Sequence, residues 1–299
     1  MSSAASSGLI SAPRGSDVDR YAAIIRAMNI KIAISSGCVA LIFMLTASVS
    51  AQDFSNASIK TVPVADGLYM LMGQGGNIGV SVGADGVLLI DDQYAPMNDK
   101  IVAAIGAIII AHDNVRKRMN ATHFSSFFRS ESPPSPPAAL PVVTFDSTVT
   151  LHLNSLTIQV QHVPPAHTDG DSVIWFHEAN VVHLGDTFFN ELYPFIDVDS
   201  GGSIRGMISA IDGALLHINA ATKIMPGHGP LADKQALERY RAMLNTVADR
   251  IDELIANGQS KQQVVEAQPT AEYDPLWGNG FIKPDQWAAL VYDSLVAGQ

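Results

Sequence analysis

The sequence has a single cysteine, Cys38, in 299 residues. A lone thiol makes no disulfide within its own chain, and no set of thiolates is present to hold a metal. Positive charge is also scarce. There are 18 Lys and Arg against 29 Asp and Glu, a net charge of −11, and the one basic cluster is Arg116-Lys117-Arg118. Phosphate backbones require a concentrated basic surface, so this composition argues against a nucleic-acid partner. No Gly-x-Ser-x-Gly segment supplies a serine nucleophile. Gly73-Gln-Gly-Gly76 lacks the strand-to-helix setting of a nucleotide loop. Nine histidines are present, at His112, His123, His152, His162, His167, His177, His183, His217 and His228, and no two are two positions apart.

What is present is apolar material, 47% of the chain, with 16% charged residues. That is enough to bury a substantial core. The first 51 residues read as an N-terminal extension and signal peptide. Met28-Asn-Ile-Lys31 is a short positive region, Ile32 to Leu45 is an apolar run broken by Ser35, Ser36 and Gly37, and Val49-Ser50-Ala51 has the small residues of a cleavage site. The alternative is an uncleaved anchor, although a spanning helix needs about 20 apolar residues. Either Met1 or Met28 can be the start. Cleavage after Ala51 removes Cys38, four basic residues and two acids, which takes the net charge from −11 to −13. The expected location is the periplasm or the exterior. The only expected membrane contact is through an uncleaved signal.

Residues 52–299 read as one domain. Short apolar runs alternate with turn residues from Ile59 to Ile90: Gly67–Met72, Asn77–Val82 and Gly86–Ile90, with Gly83-Ala-Asp-Gly86 as a hairpin turn. Ala95 to Ile105 reads as a helix. Ala107-Ile-Ile-Ile-Ala111 then reads as a strand, and it runs directly into a helix starting at His112. Only Gly106 and Ala107 separate the first helix from the isoleucines. Two readings are open there: a missing piece of chain, or a tight turn at Gly106. Ser130 to Pro141, with four prolines, reads as a loop or extended spacer. Strands follow at Val142–Phe145, Thr148–Leu153, Leu156–His162, Ser172–Phe176 and Val181–Leu184. Helices then follow at 204–218, from an Asp233 cap to Ala256, after a Ser260–Gln263 capping box, and at 285–296, with a short strand Lys223–Met225 among them.

Three polar residues stand out. His167 lies in Ala-His-Thr-Asp-Gly-Asp-Ser, just past a strand. Asp186 follows the apolar run Val181–Leu184. His228 sits in Pro-Gly-His-Gly-Pro, where flanking glycines permit close approach. Each alone has a structural explanation, as a loop histidine, a turn aspartate or a turn histidine. Their order and settings together resemble the second half of the metallo-β-lactamase superfamily, and Asn77 to Asp92 resembles that family's opening hairpins. The resemblance spans about residues 60 to 299.

The resemblance implies an α/β (α+β) fold: an αββα sandwich of two mixed β-sheets with outer helices. It implies one or two zinc ions at the shared sheet edge, with His167 on one, His228 on the other and Asp186 bridging them. His183 and Asp169 would stand behind those ligands. The implied chemistry is zinc-activated water attacking the carbonyl of a β-lactam, ester or thioester, with the small-molecule substrate and the oligomeric state unspecified. The family's principal signature, His-x-His-x-Asp-His, is absent from this chain. Its place lies between the helix ending near Ile105 and the segment at Ile109, which favours the missing-piece reading at Gly106 and implies loss of one strand and the first metal loop. Three alternatives follow: an impaired hydrolase, a non-catalytic pseudo-enzyme or binding protein, and a defective deletion product.

Overall fold

The computed structural model describes residues 59–73, 76–91 and 109–298. The chain divides into two compact units, 1–53 and 54–299, and the described residues all belong to the second. The signal segment, the helix expected at Ala95–Ile105 and the Gly106 junction lie outside the described residues.

The first sheet is an antiparallel meander of four strands: β1 (Lys60–Ala65), β2 (Leu68–Gly73), β3 (Gly76–Gly83) and β4 (Gly86–Ile90), in that order. β5 (Ile110–His112) follows, and His112 caps the seven-residue helix α1 (Asp113–Met119), its side chain accepting from the Asn114 amide. A small hairpin, β6 (His123–Ser125) with β7 (Ser130–Ser132), comes next, so the spacer expected from Ser130 begins as a paired strand. Its prolines begin at Pro133, and the first three residues keep the amides that pairing needs.

β8 (Val143–Phe145) pairs in parallel with β5. The second main sheet is built from β9 (Thr148–Leu153), β10 (Leu156–His162), β11 (Ser172–Phe176), β12 (Val181–His183) and β13 (Lys223–Met225), in the spatial order β13-β12-β11-β10-β9. It is mixed, because β13 returns parallel to β12 after the helix α2 (Ile204–His217). The helices α3 (Lys234–Ala256), α4 (Lys261–Glu266), α5 (Asp274–Trp277) and α6 (Pro284–Ala297) complete the chain.

Strand alternation decides the layers. Val173 on β11, Val182 on β12 and Ile224 on β13 face the helical core with Met207, Leu237, Leu244 and Trp287. Their neighbours Ile174, Phe176, Val181 and Met225 face the first sheet's Val64, Leu68, Met70 and Ile90. A side chain fully buried in either layer contributes about 1.5–3 kcal/mol, so the period of two fixes both the register and the sandwich. Two sheets therefore pack face to face with helices outside, the expected architecture. Among the described residues, β4 has no strand beyond it, and β5–β8 stands apart as a separate parallel pair.

Candidate metal centre

All nine histidines lie among the described residues, so every imidazole of the chain can be placed. His167 belongs to the loop joining β10 to β11. That loop is folded on itself: Asp171 accepts from the Thr168 amide and hydroxyl, both at 2.9 Å, and the Ala166 amide donates to the Thr168 carbonyl. The His167 carbonyl in turn accepts from the Asp197 amide. Its Nδ1 lies 2.9 Å from the Phe195 carbonyl. A carbonyl only accepts, so Nδ1 carries a proton and Nε2 is the ring nitrogen left to face the centre.

That Nε2 lies 3.7 Å from Asp186 Oδ2. Asp186 sits in a 3-10 turn, Gly185–Thr187, two residues past the end of β12. Its other oxygen, Oδ1, lies 3.4 Å from His228 Nε2. Burial works against the charged form of both partners. For His167 the carboxylates of Asp186 and then Asp171 outweigh it and raise the imidazole pKa. For Asp186 the hydrogen bond from His228 and the field of His167 outweigh it and hold the carboxyl below its usual range.

His228 is held from both sides. Its ring stacks on Phe189, centroids 4.5 Å apart and planes 8° from parallel. Its carbonyl accepts from the Asn190 amide. The preceding Gly227 donates to the Gly185 carbonyl at 2.8 Å and to the Phe188 carbonyl at 3.1 Å. A Cβ at 227 would overlap Asp186 Oδ1 and come within 2.6 Å of the Gly185 carbonyl carbon and oxygen. The loop therefore closes onto the Asp186 turn only because residue 227 has no side chain. Gly229, at φ +91°, completes the turn.

Asn77, buried on β3, pins the same loop from the opposite sheet. Its amide group donates to the Pro226 carbonyl at 2.9 Å and the Gly229 carbonyl at 2.8 Å. Sequence reasoning passed over this residue. The available signal was an amide side chain inside an apolar strand, where a partner is obligatory.

The supporting residues behave differently from each other. His183 is fully buried at the end of β12, and its Nδ1 accepts from the Gly185 amide at 3.0 Å, so it braces the turn that carries Asp186. Burial depresses its pKa to about 4. Asp169 instead makes a two-pronged pair with Arg118, at 2.6 and 2.7 Å, and ties the His167 loop to α1. His112 is engaged by other partners: it stacks on His162, ring centroids 3.6 Å apart, and its Nε2 is bonded to the Asp146 carbonyl. Asp91, left-handed at φ 69°, reaches the Gly185 turn, since a Cβ at 185 would stand 3.9 Å from its Oδ2.

A profile described as the metallo-beta-lactamase superfamily matches residues 98–240. Over those residues, just under half of its length, the chain is similar to the metallo-β-lactamase superfamily. An uncharacterised protein of Mycobacterium leprae (strain TN) is 35% identical over 95 residues, 31% of this chain and 43% of that one. An uncharacterised protein of Mycobacterium tuberculosis (strain ATCC 25618 / H37Rv) is 29% identical over 99 residues, with the same two shares. The chain thus matches less than half the length of these relatives. Among solved structures, the stereoselective inverting sec-alkylsulfatase Pisa1 of a Pseudomonas species aligns with a TM-score of 0.54 at 13% identity, over 81% of this chain and 51% of that one. A double mutant of the same sulfatase gives 0.57 with the same identity and shares. At that identity the likeness concerns the fold alone.

Members of this hydrolase superfamily typically use zinc, so the donor set must be tested against it. Catalytic zinc takes three protein ligands around one point and leaves a position for water. Here the two imidazoles approach different oxygens of one carboxylate, the geometry of a bridge rather than of three donors converging. Among the described residues, no group of three or more His, Cys, Asp or Glu side chains is arranged to hold a metal ion. The described residues therefore do not by themselves fit a complete zinc site.

Proposed function

We propose that this chain is a metallo-hydrolase relative with a truncated metal site: it binds zinc weakly and does not sustain zinc-hydroxide hydrolysis. The observation that carries this reading is the Asp186 carboxylate, which gives one oxygen to His167 at 3.7 Å and the other to His228 at 3.4 Å. A metal on either side would have one imidazole and one shared oxygen. The remaining imidazoles do not add to it: His112 and His162 stack on each other, and His183 holds the Gly185 amide. The substrate class open to such a scaffold covers β-lactams, esters and thioesters, with alkyl sulfates added by the likeness to the sulfatase. Export is part of the same proposal, supported by the basic, apolar and small-residue regions of residues 28–51.

The test is zinc per chain, by elemental analysis after dialysis against a weak chelator, together with turnover of a chromogenic cephalosporin, a nitrophenyl ester, a thioester and an alkyl sulfate with added zinc. The expected result is no stoichiometric zinc and no turnover above the metal-only control. Retained zinc at one or more per chain, with turnover that disappears in a strong chelator, would refute the proposal. For export, the expected product is a chain beginning at Gln52 in the periplasmic or culture fraction. Full-length chain confined to the cytoplasm would argue against it.

A further inference from the structure

A row of aromatic rings begins at the polar centre and runs to the surface. Phe195 meets His167 edge-on, with centroids 5.6 Å apart. Phe127 and Phe128 lie 5.1 and 5.6 Å from Phe195, and Phe281 lies 6.3 and 6.1 Å from those two. The four phenylalanines come from three separate stretches: the turn between β6 and β7, the segment after the Asp186 turn, and the segment before α6. Three connections converging on one cluster is tertiary placement, since no local periodicity produces it.

Phe128 is 53% exposed and Phe281 is 72% exposed. Scattered exposed rings are ordinary, whereas a contiguous apolar patch with a polar border marks a binding surface. The ring pairs sit at the tilted and offset separations that hold aromatic clusters rigid. Here the border is the candidate centre itself, because the inner end of the row is the imidazole that faces Asp186.

The charge around that inner end has one sign. Asp186, Asp171 and Asp197 all act on His167, and Asp199 accepts from the amide and hydroxyl of Ser126, beside Phe127. At this inner end Arg118 is committed to Asp169, whereas Arg129, next to Phe128, and Lys283, two residues past Phe281, belong to the outer end of the row. The field at the inner end opposes an anionic ligand and leaves an uncharged one unopposed.

We infer that the row Phe127, Phe128, Phe195 and Phe281 is a binding wall for the aryl or alkyl part of an uncharged small molecule whose polar end reaches His167 and Asp186. The inference rests on the proposed function in one respect: the carboxylates of the centre are not neutralised by bound zinc.

The experiment compares two fluorescent probes on the full chain. N-phenyl-1-naphthylamine is uncharged, and 8-anilino-1-naphthalenesulfonate carries similar rings with an anionic group. The uncharged probe is expected to bind the metal-free protein several-fold more tightly than the sulfonate. Replacing both exposed rings, Phe128→Ala with Phe281→Ala, should weaken its binding about tenfold. Leu216→Ala, at an 82% exposed position on α2, should leave it unchanged. Circular dichroism of the double variant confirms that it folds, and Phe128→Leu with Phe281→Leu, which keeps apolar bulk, should restore part of the binding. Unchanged affinity in the double alanine variant would overturn the wall, and so would equal binding of the sulfonate to metal-free protein. A probe excluded from a dimer that the double variant dissociates would overturn it too, because the rings would then be a self-association surface. If retained zinc is found and the sulfonate binds tightly only with it, the proposed function fails while the wall stands.

Discussion

Gly227→Ala is the sharpest perturbation of the centre, because one methyl group meets both the carboxylate and its turn. The added Cβ would overlap Asp186 Oδ1 and lie 2.6 Å from the carbonyl carbon and oxygen of Gly185. Two of these three atoms are backbone, so a rotamer change cannot relieve the clash. Relief requires the 226–230 loop to lift, which stretches the Gly227 amide's bonds to the Gly185 and Phe188 carbonyls and the Asn77 amide's bond to the Gly227 carbonyl. Overpacking of this kind costs about 1–3 kcal/mol, and each weakened hydrogen bond adds about 1 kcal/mol. With three bonds weakened, a total of about 4–6 kcal/mol corresponds to a fall in Tm of about 8–24 °C for a domain of this size.

The matched control is Gly213→Ala. Gly213 lies inside α2, and a Cβ there meets nothing within 4 Å. Alanine is preferred over glycine in a helix by about 1 kcal/mol, so this variant should gain about 2–4 °C. Both are read in one assay, thermal or urea unfolding followed by far-UV circular dichroism. A neutral or stabilising Gly227→Ala, with Gly213→Ala behaving as stated, would refute the claim that the loop closes onto the Asp186 turn.

Asn77→Ala leaves the Pro226 and Gly229 carbonyls without their partner in a buried setting, and should cost about 1–3 kcal/mol in urea unfolding. The His183 pKa of about 4 lies below its ordinary 6.5, so the unfolded chain takes up a proton first. Its contribution is intact above pH 6.5 and is lost as pH falls from there toward 4, a loss of about 3 kcal/mol. The difference between wild type and His183→Gln, measured from pH 7 to 4, should show that slope, and a flat difference would contradict it. The Arg118–Asp169 pair is partly exposed, so a double-mutant cycle should give only about 0.5–1 kcal/mol. Arg118 holds the Asp169 carboxyl below its usual range, so this coupling is present at neutral pH and disappears in acid as pH falls through that lowered pKa.

The sandwich was legible because each strand carried its own signals. Thr148–Leu153, Leu156–His162 and Ser172–Phe176 are bounded by turn residues, and they fold at the limits the sequence implies. Asn154 and Ser155, at φ 56° and 61°, form the tight turn expected between two of them. The short pairing of Ser130–Ser132 with His123–Ser125 was not legible, since three polar residues carry no hydrophobic period.

At the centre, residue types and tight turns pointed to His167, Asp186 and His228. Their approach to one another depends on features with no local signature. Asn77 reaches across from the other sheet, and the stack of Phe189 on His228 joins segments about forty residues apart. The four-phenylalanine row likewise joins stretches separated by up to about 150 residues.

By itself the sequence determined the order of elements, the two faces of each strand and the absence of a His-x-His pair, because these are properties of neighbouring residues and of composition. Only the tertiary structure decided that His167 and His228 take opposite oxygens of Asp186, that Asp169 is spent on Arg118, and that an aromatic row ends at His167. Those outcomes depend on how sheets and loops pack across long chain separations, where a single missing Cβ at residue 227 determines whether two segments can touch.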